Sequence, residues 1–390
     1  MSFASRIADL KGEGAYAVLA KAQALEARGR EIIHLEIGQP DFDTYPHITL
    51  AGIRALTAGE TRYNPPTGIL PLRRAIAEDA GRRRGVTFTP EQVVVAPGAK
   101  PILFLPLLAI VEQGDEVIYP DPGFPTYEAA IRIAGGTPRP IPLAEEAGFD
   151  LDLAAFDRQV SSRTRLIILN SPGNPTGGVL SERTLQHVAQ VAQDRDCWVM
   201  SDEIYARLVY GPPAPSIAAL PGMMERTIIV DGFSKTYAMT GWRLGFGIMP
   251  QALAEKMDLL LTHAVGCTAT FTQYAGLAAV LGPQEQADAM CGEFHRRRDH
   301  LVIGLNAIPG IRCHLPRGAF YAFPNVEALG RPVEELAEYL LQEAGVAVLP
   351  GTSFGQNGRG HLRLSYANSI ENIDKALERI AHALATLSRA

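Results

Sequence analysis

At 390 residues, 47% of them hydrophobic, the chain is long enough for two domains and too apolar to stay disordered. Its net charge of -6 provides no basic field for holding nucleic acid nonspecifically. The short arginine runs at 82–84 and 296–298 lie in helix-like stretches and are expected to form solvated faces.

Cys197, Cys267, Cys291 and Cys313 make no CxxC pair and lack accompanying histidine spacing, which argues against structural zinc and a disulfide framework and fits a reducing cytoplasm. The opening string MSFASRIADLKGEGAY has no apolar core of signal-peptide length. The most apolar run, PILFLPLLAIV at 101–111, is too short and too proline-bearing to span a bilayer. A soluble cytoplasmic protein with no membrane or nucleic-acid partner is expected.

Residues 13–28 read as a helix and 31–45 as a strand and loop. Between about 90 and 250, seven short β-rich runs recur among helix-like stretches: QVVVA, EVIYP, PRPIPL, RLIILN, CWVMSD, TIIVDG and RLGFGIM. Runs apolar on both faces suit a mostly parallel sheet covered by helices on both sides, an α/β fold. RLGFGIM follows its predecessor after a loop too short for a helical crossover, so one strand near it is expected to be antiparallel. Helices are predicted over 252–263, 270–281 and 284–306, then a βα-rich tail from IRCHLP that closes with a helix capped by Ser369 and Asn372.

Ligands in open α/β sheets bind beyond the carboxyl ends of the strands. Asn170 to Gly177 follow RLIIL, Asp202 follows CWVMS, and Lys235 follows TIIVDG, so three strand ends direct polar groups at one rim. Within DGFSKTYAMTGWRLG (231–245), Lys235 and Arg243 stand eight residues apart among small and aromatic residues. An amine that forms an imine must lose its proton near neutral pH, which calls for a recessed, partly apolar setting and a second cation. Arg243 suits that cation and can also grip an anionic group.

This string closely resembles the lysine signature of class I aminotransferases, enzymes that use pyridoxal phosphate. NSPGNPTGG and SDEIY precede it in the family's order, and the likeness runs from about Tyr16 to the last helix. The resemblance implies a fold type I architecture, with a seven-stranded mostly parallel sheet in a large domain (46–285) and a smaller α/β domain formed by both chain ends (1–45 and 286–390). It implies that Lys235 carries the cofactor as an internal aldimine and that Arg243 meets its phosphate. Asp202 then keeps the pyridine nitrogen protonated, while Tyr205 and Asn174 hydrogen bond the ring oxygen. Gly98, Ala99 and Lys100, in PGAKPIL, form the phosphate cradle at a helix start, with Pro101 suited to its first turn. Phe124 stacks on the ring, and Ser234 joins the cofactor set. Tyr63 reaches the phosphate of a neighbouring subunit, which implies a homodimer with shared sites. Arg363, in HLRLSYANS, clamps the substrate α-carboxylate beside Asn174. Gly38, in LEIGQPDF, approaches the substrate where a side chain would occupy its space.

Two positions depart from the family's usual pattern. Lys100 stands where serine or threonine is frequent, and its ammonium suits either the phosphate or the distal carboxylate of an acidic substrate. Gly232 replaces a phosphate-binding serine, which leaves more of the phosphate's charge to Arg243 and Lys100. The implied activity is ping-pong transfer of an amino group from an L-amino acid to a 2-oxo acid. Lys235 would shuttle a proton from Cα to the cofactor's C4′ carbon. Lys100 favours aspartate or glutamate, while apolar residues around GAFYAF, Phe320 among them, suit aromatic or aliphatic donors; a broad donor range with 2-oxoglutarate as acceptor is expected. The same motifs also resemble carbon-sulfur β-lyases and cyclopropane-forming synthases. A regulator with an inactive aminotransferase domain would need a DNA-binding module, for which no residues remain before the first helix. DGFSKT lacks the GxxxxGK[ST] spacing of a nucleotide-binding loop.

Overall fold

The structure, a computed structural model, describes residues 12–387 together with Ala4, Ile7 and Leu10. The outer ends of the expected small domain, including 1–3 and 388–390, lie outside the described residues. Beyond β1 (Ile33–His34), the chain builds one large sheet from β2 (Val93–Ala96), β3 (Glu116–Asp121), β4 (Thr137–Ala144), β5 (Asp150–Leu151), β6 (Thr164–Asn170), β7 (Trp198–Asp202), β8 (Thr227–Gly232) and β9 (Gly245–Ile248). Their order is β2-β9-β8-β7-β6-β3-β4-β5. All seven predicted strands are present. The eighth, β5, is two residues that pair antiparallel to the end of β4, too short to leave a periodic signal in the sequence.

Every residue of β2, β3 and β8 is buried. Successive side chains alternate between two cores: Val94, Ile228 and Val230 face helices 100–110 and 251–264, whereas Val93, Val95 and Ile229 face helices 70–84 and 270–281. The PILFLPLLAIV run forms the first of these helices and is packed inside the protein. No helix among the described residues is long and apolar enough to cross a membrane.

Strand direction decides where the chemistry gathers. β3, β4, β6, β7 and β8 are mutually parallel, and β9 runs antiparallel to both β8 and β2, so β2 points the same way as the parallel set. The ends of β2, β3, β6, β7 and β8 therefore share one rim with the start of β9.

Both chain ends contribute to a second core. β1 pairs in parallel with β11 (Val346–Ala347), while β10 (Tyr321–Ala322) and β12 (Leu349–Pro350) flank β13 (Leu362–Ser365). Ile33 and Leu35 pack there with residues of helices 285–306 and 370–387. The last helix buries Ile373, Ala376, Ile380, Ala383 and Leu384, a single stripe of 3.6-residue period. Ser369 caps it, its Oγ accepting from the backbone N–H of Asn372 at 3.2 Å.

The arginine runs correct one expectation. Arg82 and Arg296 are solvated, with side chains 76% and 64% exposed, but Arg84, Arg297 and Arg298 are buried. Consecutive helical residues point about 100° apart, so three in a row cannot share one solvated face.

Candidate active site

The shared rim opens on a cavity of about 570 Å³. Gly38, Ala99, Lys100, Phe124, Asn174, Asp202, Tyr205, Ser234, Lys235, Arg243 and Arg363 all line it. Residues far apart in sequence thus converge because each follows a strand end or faces the rim from the second core. Gly98 sits just behind the wall. Tyr63 lies apart from the cavity and is 97% exposed.

Lys235 follows β8 by three residues, and its ammonium donates to the carbonyl of Gly38 at 2.5 Å. The rings of Phe320 and Tyr205 lie 5.8 and 6.0 Å from Nζ. Burial lowers its pKa to about 8, helped by Arg363 and Arg243 and opposed by Asp202. An amine at that value keeps roughly a fifth of its population neutral near pH 7.4, far more than an ordinary lysine, and the neutral form is the one that attacks a carbonyl carbon.

Asp202 ends β7 and is almost wholly buried. Its carboxylate accepts from the phenol of Tyr127 at 2.6 Å and from the backbone N–H of Ile204 at 3.2 Å. Burial raises its pKa to about 6 despite those donors. Asn170 donates to the carbonyl of Asp202 at 3.1 Å and accepts from the backbone N–H of Asn174 at 2.8 Å, tying the NSPGNP turn to the neighbouring strand. Tyr205 is buried with its hydroxyl 2.8 Å from that of Tyr321.

At the end of β2, Gly98 takes φ +90°, and a Cβ there would collide with the guanidinium of Arg243. Arg243 itself has φ +53° and is held by a bond from Nη1 to the Thr240 carbonyl at 2.8 Å. Helix 100–110 starts against this pair with Pro101 in its first turn. A helix start, a glycine loop and an arginine make a site with positive character for an anion. Gly232 is closely packed: a Cβ on it would begin 3.1 Å from Cα of Gly245 and 3.2 Å from the Ile204 side chain.

Arg363, on β13, is buried. It donates from Nη1 to Asn174 Oδ1 at 3.1 Å and from Nη2 to the carbonyl of Glu36, and its guanidinium lies 4.4 Å from the Tyr321 ring centroid and 4.9 Å from that of Phe354. Sandwiched in this way, the planar fork has little rotational freedom to lose on gripping a carboxylate. Gly38 is reserved by the protein itself, because a Cβ there would strike the Tyr321 hydroxyl rather than open cavity space. The Lys100 ammonium is paired with Glu13 and stands 5.5 Å from the Phe124 ring centroid, at the cavity rim.

Several wall residues escaped the sequence reading. Tyr127 lies three residues beyond Phe124 in PGFPTYEAA, one helical turn on, a spacing that would have flagged it. Tyr321 shares the GAFYAF string with Phe320; Tyr321 lines the cavity, whereas Phe320 is fully buried behind it, its ring 4.8 Å from that of Tyr321 and 5.3 Å from that of Phe294. Glu13 gave no local signal at all.

A neutralisable lysine, a buried carboxylate at cavity depth, an anion cradle and a planar arginine clamp in one cavity fit pyridoxal phosphate with an amino acid. Residues 30–380 match the family model described as "Aminotransferase class I and II". The chain is 42% identical to the "Probable aspartate/prephenate aminotransferase" of Aquifex aeolicus, with 98% of each chain covered, and 40% identical to "Aromatic-amino-acid aminotransferase 2" of Thermococcus litoralis, with 93% of each covered. A solved aspartate aminotransferase of Thermus thermophilus with maleate superposes at TM-score 0.93 and 38% identity, covering 98% of this chain and all of that one. The chain belongs to the class I and II aminotransferase family. It is a pyridoxal-phosphate-dependent aminotransferase of α/β fold, acting on amino acids and 2-oxo acids.

Proposed function

We propose that this aminotransferase takes both acidic and apolar L-amino acids as donors, passes the amino group to 2-oxoglutarate by a ping-pong route, and works as a cytoplasmic homodimer. The observation that carries the substrate reading is the Glu13–Lys100 pair at the cavity rim. With Glu13 as partner, Lys100 is neutralised and the rim accepts an uncharged side chain. With a dicarboxylate donor, the ammonium exchanges Glu13 for the distal carboxylate. Relatives named for aspartate, prephenate and aromatic amino acids, and the neighbour with maleate, support this range.

Bound pyridoxal phosphate supplies an aldehyde for imine formation and a ring that withdraws electrons from Cα. Lys235 would hold it covalently through Nζ and, once freed by the substrate amine, carry the proton taken from Cα. Asp202 would keep the ring nitrogen protonated, with Tyr205 and Asn174 directed at the ring oxygen and Phe124 at the ring face. The amides of 98–100, Ser234 and Arg243 would hold the phosphate, and Arg363 the α-carboxylate. We read 46–285 as the cofactor domain and 1–45 with 286–390 as the small domain. Closure of the second onto the first would bring Arg363 over the substrate and exclude water.

The homodimer reading rests on Tyr63. It is nearly fully exposed and outside its own cavity, so a phosphate contact by it requires a second copy. Leu50, Ile53 and Leu56 on helix 46–57 add exposed apolar surface nearby in sequence.

A panel of amino donors with pyruvate or 2-oxoglutarate, repeated after Lys100→Ala, tests the substrate reading. Aspartate and glutamate should lose at least about tenfold in kcat/KM while phenylalanine changes less than about twofold, the loss of one charged contact being worth about 1.4 kcal/mol or more. Undiminished aspartate activity would remove Lys100 from the site.

A further inference from the structure

Arg84 closes helix 70–84 with a side chain only 5% exposed, although the first member of the same arginine run is solvated. Its Nε donates to Glu203 at 2.7 Å and its Nη2 to Asp231 at 3.1 Å. Glu203 directly follows Asp202 beyond the end of β7. Asp231 is the penultimate residue of β8, four positions before Lys235. One guanidinium therefore bridges the ends of the two strands that deliver these residues. The remaining lone pairs are also engaged: Glu203 Oε1 accepts from Ser201 and Ser216 at 2.9 and 2.6 Å, and Asp231 Oδ1 accepts from the Gly232 backbone at 2.7 Å. Arg83 reaches Asp231 only at 4.0 Å and is engaged with Asp79 at 2.8 Å.

We propose that Arg84 is a positioning residue for transamination: it neutralises the two carboxylates flanking Asp202, so that Asp202 stays ionised towards the cofactor ring, and it locks the β7 and β8 ends in register. The inference rests on the reading of Asp202 as ring partner. The electrostatics run in the required direction. Around Asp202, the Tyr127 hydroxyl and the Ile204 N–H stabilise its charge, Asp231 and Glu203 oppose it, and Lys235 and Tyr205 are further titratable neighbours coupled to it. Without Arg84 the buried pair would present uncompensated negative charge to Asp202, and Arg83 is too distant and too occupied to replace it. An unpaired buried charge acts strongly because little water screens it.

The test uses the holoenzyme and two readouts, the acid limb of kcat/KM against pH and the pH dependence of the bound cofactor's visible absorbance. Arg84→Met should move both upward by about one pH unit. Glu203→Gln should move them downward, and the double variant Arg84→Met/Glu203→Gln should return them towards wild type. A purely structural Arg84 would lower thermal stability and leave both profiles in place, and that result would overturn the inference. If Arg84→Met does not fold, Glu203→Gln alone decides, since an unmoved limb in that variant contradicts the charge coupling. Asp202→Asn checks the underlying reading separately. Wild-type turnover in that variant would bring down both, whereas a dead Asp202→Asn with an unmoved limb in the Arg84 and Glu203 variants would bring down the Arg84 role alone.

Discussion

The phenol of Tyr127 donates to the buried carboxylate of Asp202 across 2.6 Å, so the aspartate at the cavity is held by a group from the helix after β3. That bond favours the charged form of Asp202, and hydrogen bonds to charged groups are worth roughly 1.5–3 kcal/mol. Tyr127→Phe should therefore raise the acid limb of kcat/KM by about one unit or more. The rate should fall about tenfold below pH 6 and little above pH 8. A uniform loss at every pH would mean that Tyr127 only fills space.

Asp202 also sets a pH dependence for the cofactor-free chain. Burial raises its pKa from 3.8 to about 6, so the folded protein keeps a proton that the unfolded chain releases. The contribution of this group to stability is therefore lost as pH rises from about 4 through about 6, reaching on the order of 2–3 kcal/mol. Apoprotein carrying Asp202→Asn should be more stable than wild type at pH 7, with the advantage shrinking towards pH 4. Urea unfolding at both pH values measures it, and a pH-independent difference would contradict the assignment.

Gly38 tolerates no Cβ because of Tyr321, whose hydroxyl pairs with Tyr205, and its carbonyl holds Lys235. Gly38→Ala should cost about 1–3 kcal/mol of stability through overpacking. Displacing Lys235 should also cut turnover, by about tenfold for each 1.4 kcal/mol of barrier added. Removing the obstructing hydroxyl with Tyr321→Phe in the same chain should recover part of the stability. No recovery in the double variant would show that the clash lies elsewhere.

Arg243 lies against Gly98 at the start of helix 100–110, where the cradle reading puts the cofactor phosphate. Arg243→Gln should weaken pyridoxal phosphate binding by about 10- to 100-fold, the worth of one charge-assisted contact. Binding of pyridoxal, which lacks the phosphate, should change little. Equal losses for both ligands, measured by equilibrium titration of apoprotein, would place Arg243 outside the phosphate site.

Much of this arrangement was legible in the chain because strand ends carry their polar residues in the sequence itself: Asn174, Asp202 and Lys235 each follow an apolar run. The antiparallel β9 was legible from a loop too short for a crossover. What escaped was set by partners distant in sequence. Glu13 pairs with Lys100, and Tyr321 blocks Gly38, across separations that no local pattern encodes. Arg84 and Arg297 looked like members of solvated runs, yet the helical twist turns each inward, where Arg297 grips Asp41 beside the Gly38 loop at 2.7 Å. The close contacts that a Cβ on Gly232 would make with Gly245 and Ile204 are likewise set by partners outside its own string.

We take the Lys235 amine, recessed in the cavity with its pKa lowered to about 8, as the covalent anchor for the cofactor. Borohydride reduction of the holoenzyme followed by peptide mapping tests it most directly. A stable pyridoxyl group on Lys235 is expected and, in Lys235→Ala, loss of both the label and nearly all turnover. A label on another lysine, or Lys235→Ala protein that keeps wild-type turnover, would contradict it.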